Sequence, residues 1–120
     1  MTKSNATKSI IIIDDDVDVL NSIKFIFRKN INYKISYFSN SEEAFNDILN
    51  NDYDIIITDI EMPIISGVDM IIELQKIKKL NKIIFISSNI DKYKNIISKL
   101  NILYLCKPIT KNKLLEIINV

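Results

Sequence analysis

The sequence predicts an α/β fold, a single doubly wound (βα)5 domain in which five strands alternate with five helices around a parallel sheet. Two observations carry this expectation. Short isoleucine-rich runs at 10–13, 55–58 and 83–86 stop at acids or serines, which suits strands covered on both faces. Between such runs, apolar residues recur at spacings of three and four, the pattern of helices with one buried face. Regular alternation of the two patterns argues for right-handed crossovers with helices on both sides of the sheet. The 120 residues suffice for one domain, expected as a flexible polar start at 1–7 and a folded unit at 8–120.

Taken in order, Ile10 to Ile13 form the first strand, which ends abruptly at Asp14-Asp15-Asp16. Val17, Leu20, Ile23 and Phe27 mark the buried stripe of a helix from Val17 to about Lys29, whose acidic first turn complements its dipole. Lys34 to Phe38 is a shorter, more polar strand and is placed near an edge. Ser39-Asn40-Ser41-Glu42 then supplies an N-cap for a helix from about Glu42 to Leu49. The third strand delivers Asp59 at its C-terminal end and breaks into a loop with Pro63 and Gly67, the only glycine. The helix after Gly67 carries Val68, Ile71, Leu74 and Ile77 on one side. A fourth strand spans Lys82 to Ile86, and a helix from about Asp91 to Leu100 follows Ser87-Ser88-Asn89. The fifth strand, Ile102 to Leu105, runs into Cys106-Lys107-Pro108, and a last helix covers about Lys111 to Ile118. The helical stripes and isoleucine runs are read as core, with Cys106 as inert core packing.

Composition excludes several classes of chemistry. A formal charge of +1 gives no broad attraction to nucleic acid or anionic lipid, so neither is an expected partner. One cysteine permits no internal disulfide, and no apolar run approaches membrane-spanning length. Neither a signal peptide nor a span is read, and a cytoplasmic location is expected. There is no histidine, which removes histidine general bases, histidine metal ligands and a phosphohistidine on this chain. A single glycine cannot build the glycine-rich loop of a P-loop or dinucleotide site.

In an open parallel sheet, ligands bind beyond the carboxyl ends of the strands. Those ends carry Asp14, Asp15 and Asp16 after the first strand, Asp59 after the third, Ser87 after the fourth and Lys107 after the fifth. Three carboxylates about 5 Å apart repel pairwise by roughly 3 kcal/mol at an effective dielectric of 20, so the cluster calls for a cation. All-oxygen ligands with few protein contacts favour Mg²⁺, which prefers to share a phosphate. With Asp14, Asp15 and Asp59 ionised, the metal and Lys107 bring the pocket to neutrality and leave room for one more anion. An aspartate can itself accept a phosphoryl group, with the metal, Lys107 and the Ser87 hydroxyl binding its oxygens.

These segments carry a resemblance. IIIIDDDVDVL at 10–20, TDIEMPIISG at 58–67, IIFISSN at 83–89 and YLCKPI at 104–109 resemble a response-regulator receiver domain of two-component signalling, of the chemotaxis-regulator type. The most specific part is D-x-x-M-P-x-x-x-G, with acids about 45 residues before and Lys-Pro about 50 after. The resemblance covers about Lys8 to Ile118 and implies a flavodoxin-like strand order, 2-1-3-4-5. It makes Asp59 the phosphorylation site, with Asp14, Asp15, Asp59 and the main-chain carbonyl of Glu61 as the Mg²⁺ site. Ser87 and Tyr104 take the positions of the switch residues, and Lys107 that of the phosphate-binding lysine.

The implied function is that of a phosphorelay receiver. A sensor histidine kinase or histidine phosphotransfer protein would donate to Asp59, and the surface of the fourth helix, fifth strand and fifth helix would switch toward a downstream target or output domain. The chain would be no enzyme beyond promoting its own phosphorylation and dephosphorylation, and either a monomer or a phosphorylation-dependent dimer. Leu100-Asn101 in place of Gly-Ala, Ser66 in place of Asp, and Ser88 in place of Ala depart from the family pattern. Glu61 and Asn89 stand where the family tunes phosphoryl lifetime. Two alternatives fit the sequence. One is a haloacid-dehalogenase-like phosphatase, which the run Asp14-Asp15-Asp16-Val17 also resembles and in which Asp14 would be the nucleophile. The other is a degenerate receiver acting only as a docking module.

Overall fold

A computed structural model describes residues 7–120; the flexible start expected at 1–7 lies, apart from Thr7, outside the described residues. The elements run β1 (Lys8–Ile13), α1 (Val17–Phe27), β2 (Tyr33–Phe38), α2 (Ser41–Asn50), β3 (Ile55–Asp59), α3 (Gly67–Ile77), β4 (Lys82–Ser87), α4 (Ile90–Leu100), β5 (Leu103–Cys106) and α5 (Lys111–Ile118). The strands form one parallel sheet in the order β2-β1-β3-β4-β5, the flavodoxin-like order that the resemblance implied. The polar β2 is at one edge, as its composition suggested. Among the described residues, no helix is long and apolar enough to cross a membrane.

The isoleucine runs follow from a sheet buried on both faces. Successive strand residues point to opposite sides, so Ile11, Ile13, Ile56, Ile83 and Phe85 pack under α2, α3 and α4. Ile10, Ile12, Ile55, Ile57, Ile84 and Ile86 pack under α1 and α5 on the other side. Two residues expected in the helical stripes lie outside these cores. Val17 is 55% exposed and Ile77 is 62% exposed; they are the first residue of α1 and the last of α3, the terminal positions of their stripes. Cys106 is also exposed, contrary to the core role expected for it. β5 is an edge strand whose outward positions are Tyr104 and Cys106.

The family departures are accommodated locally. Ser66 caps α3 by accepting a hydrogen bond from the Asp69 N–H at 3.1 Å, a role that Asp and Ser fill equally well. Asn101 takes φ 56° and ends α4, with the Ile102 N–H reaching back to the Ile97 carbonyl at 3.3 Å. Asn tolerates this left-handed closing position almost as Gly does. Ile102 is thereby bound into the end of α4, and β5 begins one residue later than the sequence pattern suggested.

One backbone position is strained. Ile64 has φ 75°, and the Ile65 N–H donates to the Pro63 carbonyl at 2.9 Å, the rare form of γ-turn with positive φ at its centre. A β-branched residue there costs on the order of 1–3 kcal/mol. The side chain is 74% exposed and returns little by burial. Ile64→Gly is therefore expected to stabilise the domain by about 1 kcal/mol, net of the glycine entropy cost. In thermal unfolding this is a rise in Tm of roughly 4 °C; an unchanged or lower Tm would show that Ile64 is not strained.

Candidate functional site at the carboxyl ends of the strands

Strand register brings the chemical residues together. Ile13 lies beside Thr58, Asp59 beside Ile86, and Ser87 beside Cys106. Asp14, Asp59, Ser87 and Lys107 consequently meet on one rim. Asp14, Asp59 and Ser87 are buried, whereas Asp15 is exposed at the mouth. The Lys107 N–H donates to the Ser87 carbonyl at 2.9 Å, tying β5 to the end of β4, and the Lys107-Pro108 bond is cis.

Asp14 accepts the Asp16 N–H on Oδ1 at 2.9 Å, and Asp16 in turn caps α1 by accepting the Asp18 N–H. The acidic run thus separates into different tasks: Asp14 faces inward, Asp15 outward, and Asp16 closes the helix. Lys107 Nζ lies 2.8 Å from Asp14 Oδ2 and 3.4 Å from Asp59 Oδ2. The approach to Asp14 Oδ2 is an ion pair without the alignment of a hydrogen bond, and that buried oxygen has no hydrogen-bond partner.

The two sides of this contact are perturbed by different causes. Burial, then the neighbouring charge of Asp14, pushes the Asp59 carboxyl up to about 6, although Lys107 pulls the other way. Burial works against the Lys107 charge, but contact with Asp14 and the charge of Asp59 outweigh it and raise the ammonium above the ordinary lysine value. One lysine leaves the acids undercompensated.

Oxygens of Asp14, Asp15 and Asp59 lie within 4.8 Å of one another, close enough to share one metal ion. An acid-only donor set with an unsatisfied buried oxygen fits a hard divalent cation. Glu61 points its side chain toward α4: its Oε2 is 3.7 Å from Lys92 Nζ, and Tyr93 is pushed up by burial and by the Glu61 carboxylate. Spacing alone does not signal this contact, since Lys92 and Tyr93 read only as helix residues. Ser87 Oγ accepts the Asn89 N–H at 2.9 Å, which leaves its own O–H free to donate. Tyr104 is 44% exposed on β5.

Gly67 secures the loop beneath Asp59. Its N–H donates to the Ile60 carbonyl at 2.8 Å, and a Cβ there would stand 2.1 Å from the Asp59 carbonyl oxygen. The only glycine is where α3 starts against the chain that carries Asp59.

The family model described as the response regulator receiver domain matches residues 10–119. The chain belongs to this family. Among solved structures, a response regulator receiver domain protein from Clostridium thermocellum is 29% identical, with 93% of this chain and 91% of that chain covered and a TM-score of 0.81. The response regulator protein TrrA from Thermotoga maritima, solved in complex with Mg²⁺ and beryllium fluoride, is 31% identical over 94% of this chain and 97% of that one, with a TM-score of 0.82. A CheY-like receiver domain protein from Methanospirillum hungatei is 25% identical, covers 95% of this chain and 92% of that chain, and has a TM-score of 0.83. No curated protein sequence matches. This receiver domain therefore carries the acidic pocket of Asp14, Asp15 and Asp59 on a two-component signalling fold.

Proposed function

We propose that the receiver domain takes a phosphoryl group onto Asp59 from a phosphohistidine of a sensor kinase or histidine phosphotransfer protein. The observation that carries this reading is Lys107 placed between the buried acids Asp14 and Asp59, with Asp15 completing a cluster suited to a divalent ion. An Asp59 oxygen attacks phosphorus, the phosphorus–nitrogen bond of the donor breaks, and the imidazole leaves with the electron pair. Asp59 must be ionised to attack, which its raised pKa of about 6 permits at neutral pH.

Asp14, Asp15, Asp59 and the main-chain carbonyl of Glu61 would hold Mg²⁺. When bound, the metal supplies positive charge that offsets the charge on the phosphoryl oxygens. Lys107 binds one of those oxygens as a point charge, leaving its contact with Asp14 to do so. Ser87 donates its free O–H to another, drawing in the β4–α4 loop. Tyr104 then turns from its outward position, and the α4–β5–α5 surface presents a different face to a downstream target or output domain. The likeness to a protein captured with Mg²⁺ and beryllium fluoride supports both the metal and the phosphoryl role.

Addition of Mg²⁺ with beryllofluoride, followed by NMR, tests this directly. The backbone amides of Asp59, Ser87 and Lys107 are expected to shift together with those of α4 and β5. Absence of any response would favour the docking-module reading. Label on Asp14 from a phosphodonor, with turnover of phosphate esters, would favour the phosphatase.

A further inference from the structure

Two surface features away from the acidic pocket are complementary to each other. On α1, Phe25 is 63% exposed, and the Arg28 guanidinium lies 3.7 Å from its ring centre while Arg28 also donates to the Phe25 carbonyl at 2.8 Å. Lys24 is held over the Tyr37 ring, and Lys29 follows. The result is an aromatic knob set among cations whose side chains are already partly ordered. Between α2 and the β3–α3 loop lies a groove of about 340 Å³, lined by the apolar Phe45, Ile64 and Ile65 and the polar Glu42, Asn46 and Glu73. That volume is within the range of sites that take a small organic group. Helix α2 carries Glu42, Glu43 and Asp47 and no basic residue. Glu73 pairs with Lys76 at an exposed contact of 2.9 Å, a weak and replaceable partner.

We propose that the chain self-associates head to tail, with Phe25 of one copy seated in the α2–α3 groove of the next. Lys24, Arg28 and Lys29 then face Glu42 and Glu73 across the contact, which orients it and makes it sensitive to salt. The knob stands on the α1/α5 side of the sheet and the groove on the α2/α3/α4 side, so no copy can fill its own groove. Each contact leaves one free knob and one free groove, the geometry of an assembly that does not close at two. The strained, exposed Ile64 supplies apolar surface to the groove at a position where its own fold gains nothing from it. This contact differs from the α4–β5–α5 surface and does not depend on phosphorylation.

Sedimentation equilibrium of the wild-type protein, Phe25→Ala and Ile64→Gly, alone and mixed, tests the proposal. Both substitutions are at exposed positions, and circular dichroism confirms that each variant is folded. Wild type should gain weight-average mass with concentration beyond that of a dimer, and lose it as salt is raised. Each variant alone should associate at least about tenfold more weakly, as for removal of a central interface anchor. An equimolar mixture should form a dimer and nothing larger, because only the knob of Ile64→Gly and the groove of Phe25→Ala remain. A monomeric wild type, undiminished association in either variant, or a mixture that stays monomeric would overturn the proposal.

Discussion

Gly67→Ala is expected to cost about 3 kcal/mol of stability and to lower Tm by roughly 10 °C. The added methyl would lie 2.1 Å from the Asp59 carbonyl oxygen and 3.1 Å from Ile60 Cα, and both neighbours are backbone atoms that no rotamer change can move. Relief requires α3 to back away, which breaks the hydrogen bond from the Gly67 N–H to the Ile60 carbonyl. Gly67 has no positive φ, so close approach alone demands glycine here. The same displacement would move Asp59 and the Glu61 carbonyl, so the folded fraction should also bind Mg²⁺ more weakly. Chemical denaturation and a metal titration check the two effects separately. Wild-type stability with intact metal binding would show that the loop is compliant and that the glycine serves no positioning role.

Asp59→Asn is expected to stabilise the metal-free domain by about 2–3 kcal/mol at neutral pH, and to remove the stabilisation that Mg²⁺ gives the wild type. The sign follows from the raised pKa. Between the ordinary carboxyl value of 3.8 and the folded value of about 6, the native state holds a proton that the unfolded state has released. Stability conferred by protonated Asp59 is full below about pH 4, declines as pH rises toward 6, and is absent above it. Above pH 6 the wild type buries a carboxylate beside Asp14 that Lys107 only partly offsets, and Asn removes that charge. The advantage of Asp59→Asn should therefore vanish when unfolding is measured near pH 4. A variant that is equally stabilised at both pH values would mean that packing, not charge, causes the gain.

The order of elements was legible because the strand and helix periods differ and each isoleucine run ends at a polar residue. The edge position of β2 was legible from its polarity. Periodicity reports which residues share a face, but not where the opposing layer stops, and so Val17 and Ile77 read as core although both are exposed at the ends of their helices. Cys106 reads as core for a related reason: on a four-residue edge strand, alternation alone does not say which parity faces outward. Lys107 and the acids could be placed on one rim because parallel strands share their carboxyl ends. The separate tasks of Asp14, Asp15 and Asp16 depend on backbone direction after β1, and the contact of Glu61 with Lys92 depends on how α4 sits over the loop. Neither is encoded in spacing. The exposed Phe25 and Ile64 carried no signal either, because single apolar residues on a surface are ordinary.

Mass spectrometry after incubation with Mg²⁺ and acetyl phosphate, with borohydride trapping of acyl phosphates, tests phosphoryl transfer to Asp59 most directly. One phosphoryl group is expected, located on Asp59, and none on Asp59→Asn. A label on Asp14 or Asp15, or an undiminished label on Asp59→Asn, would contradict it.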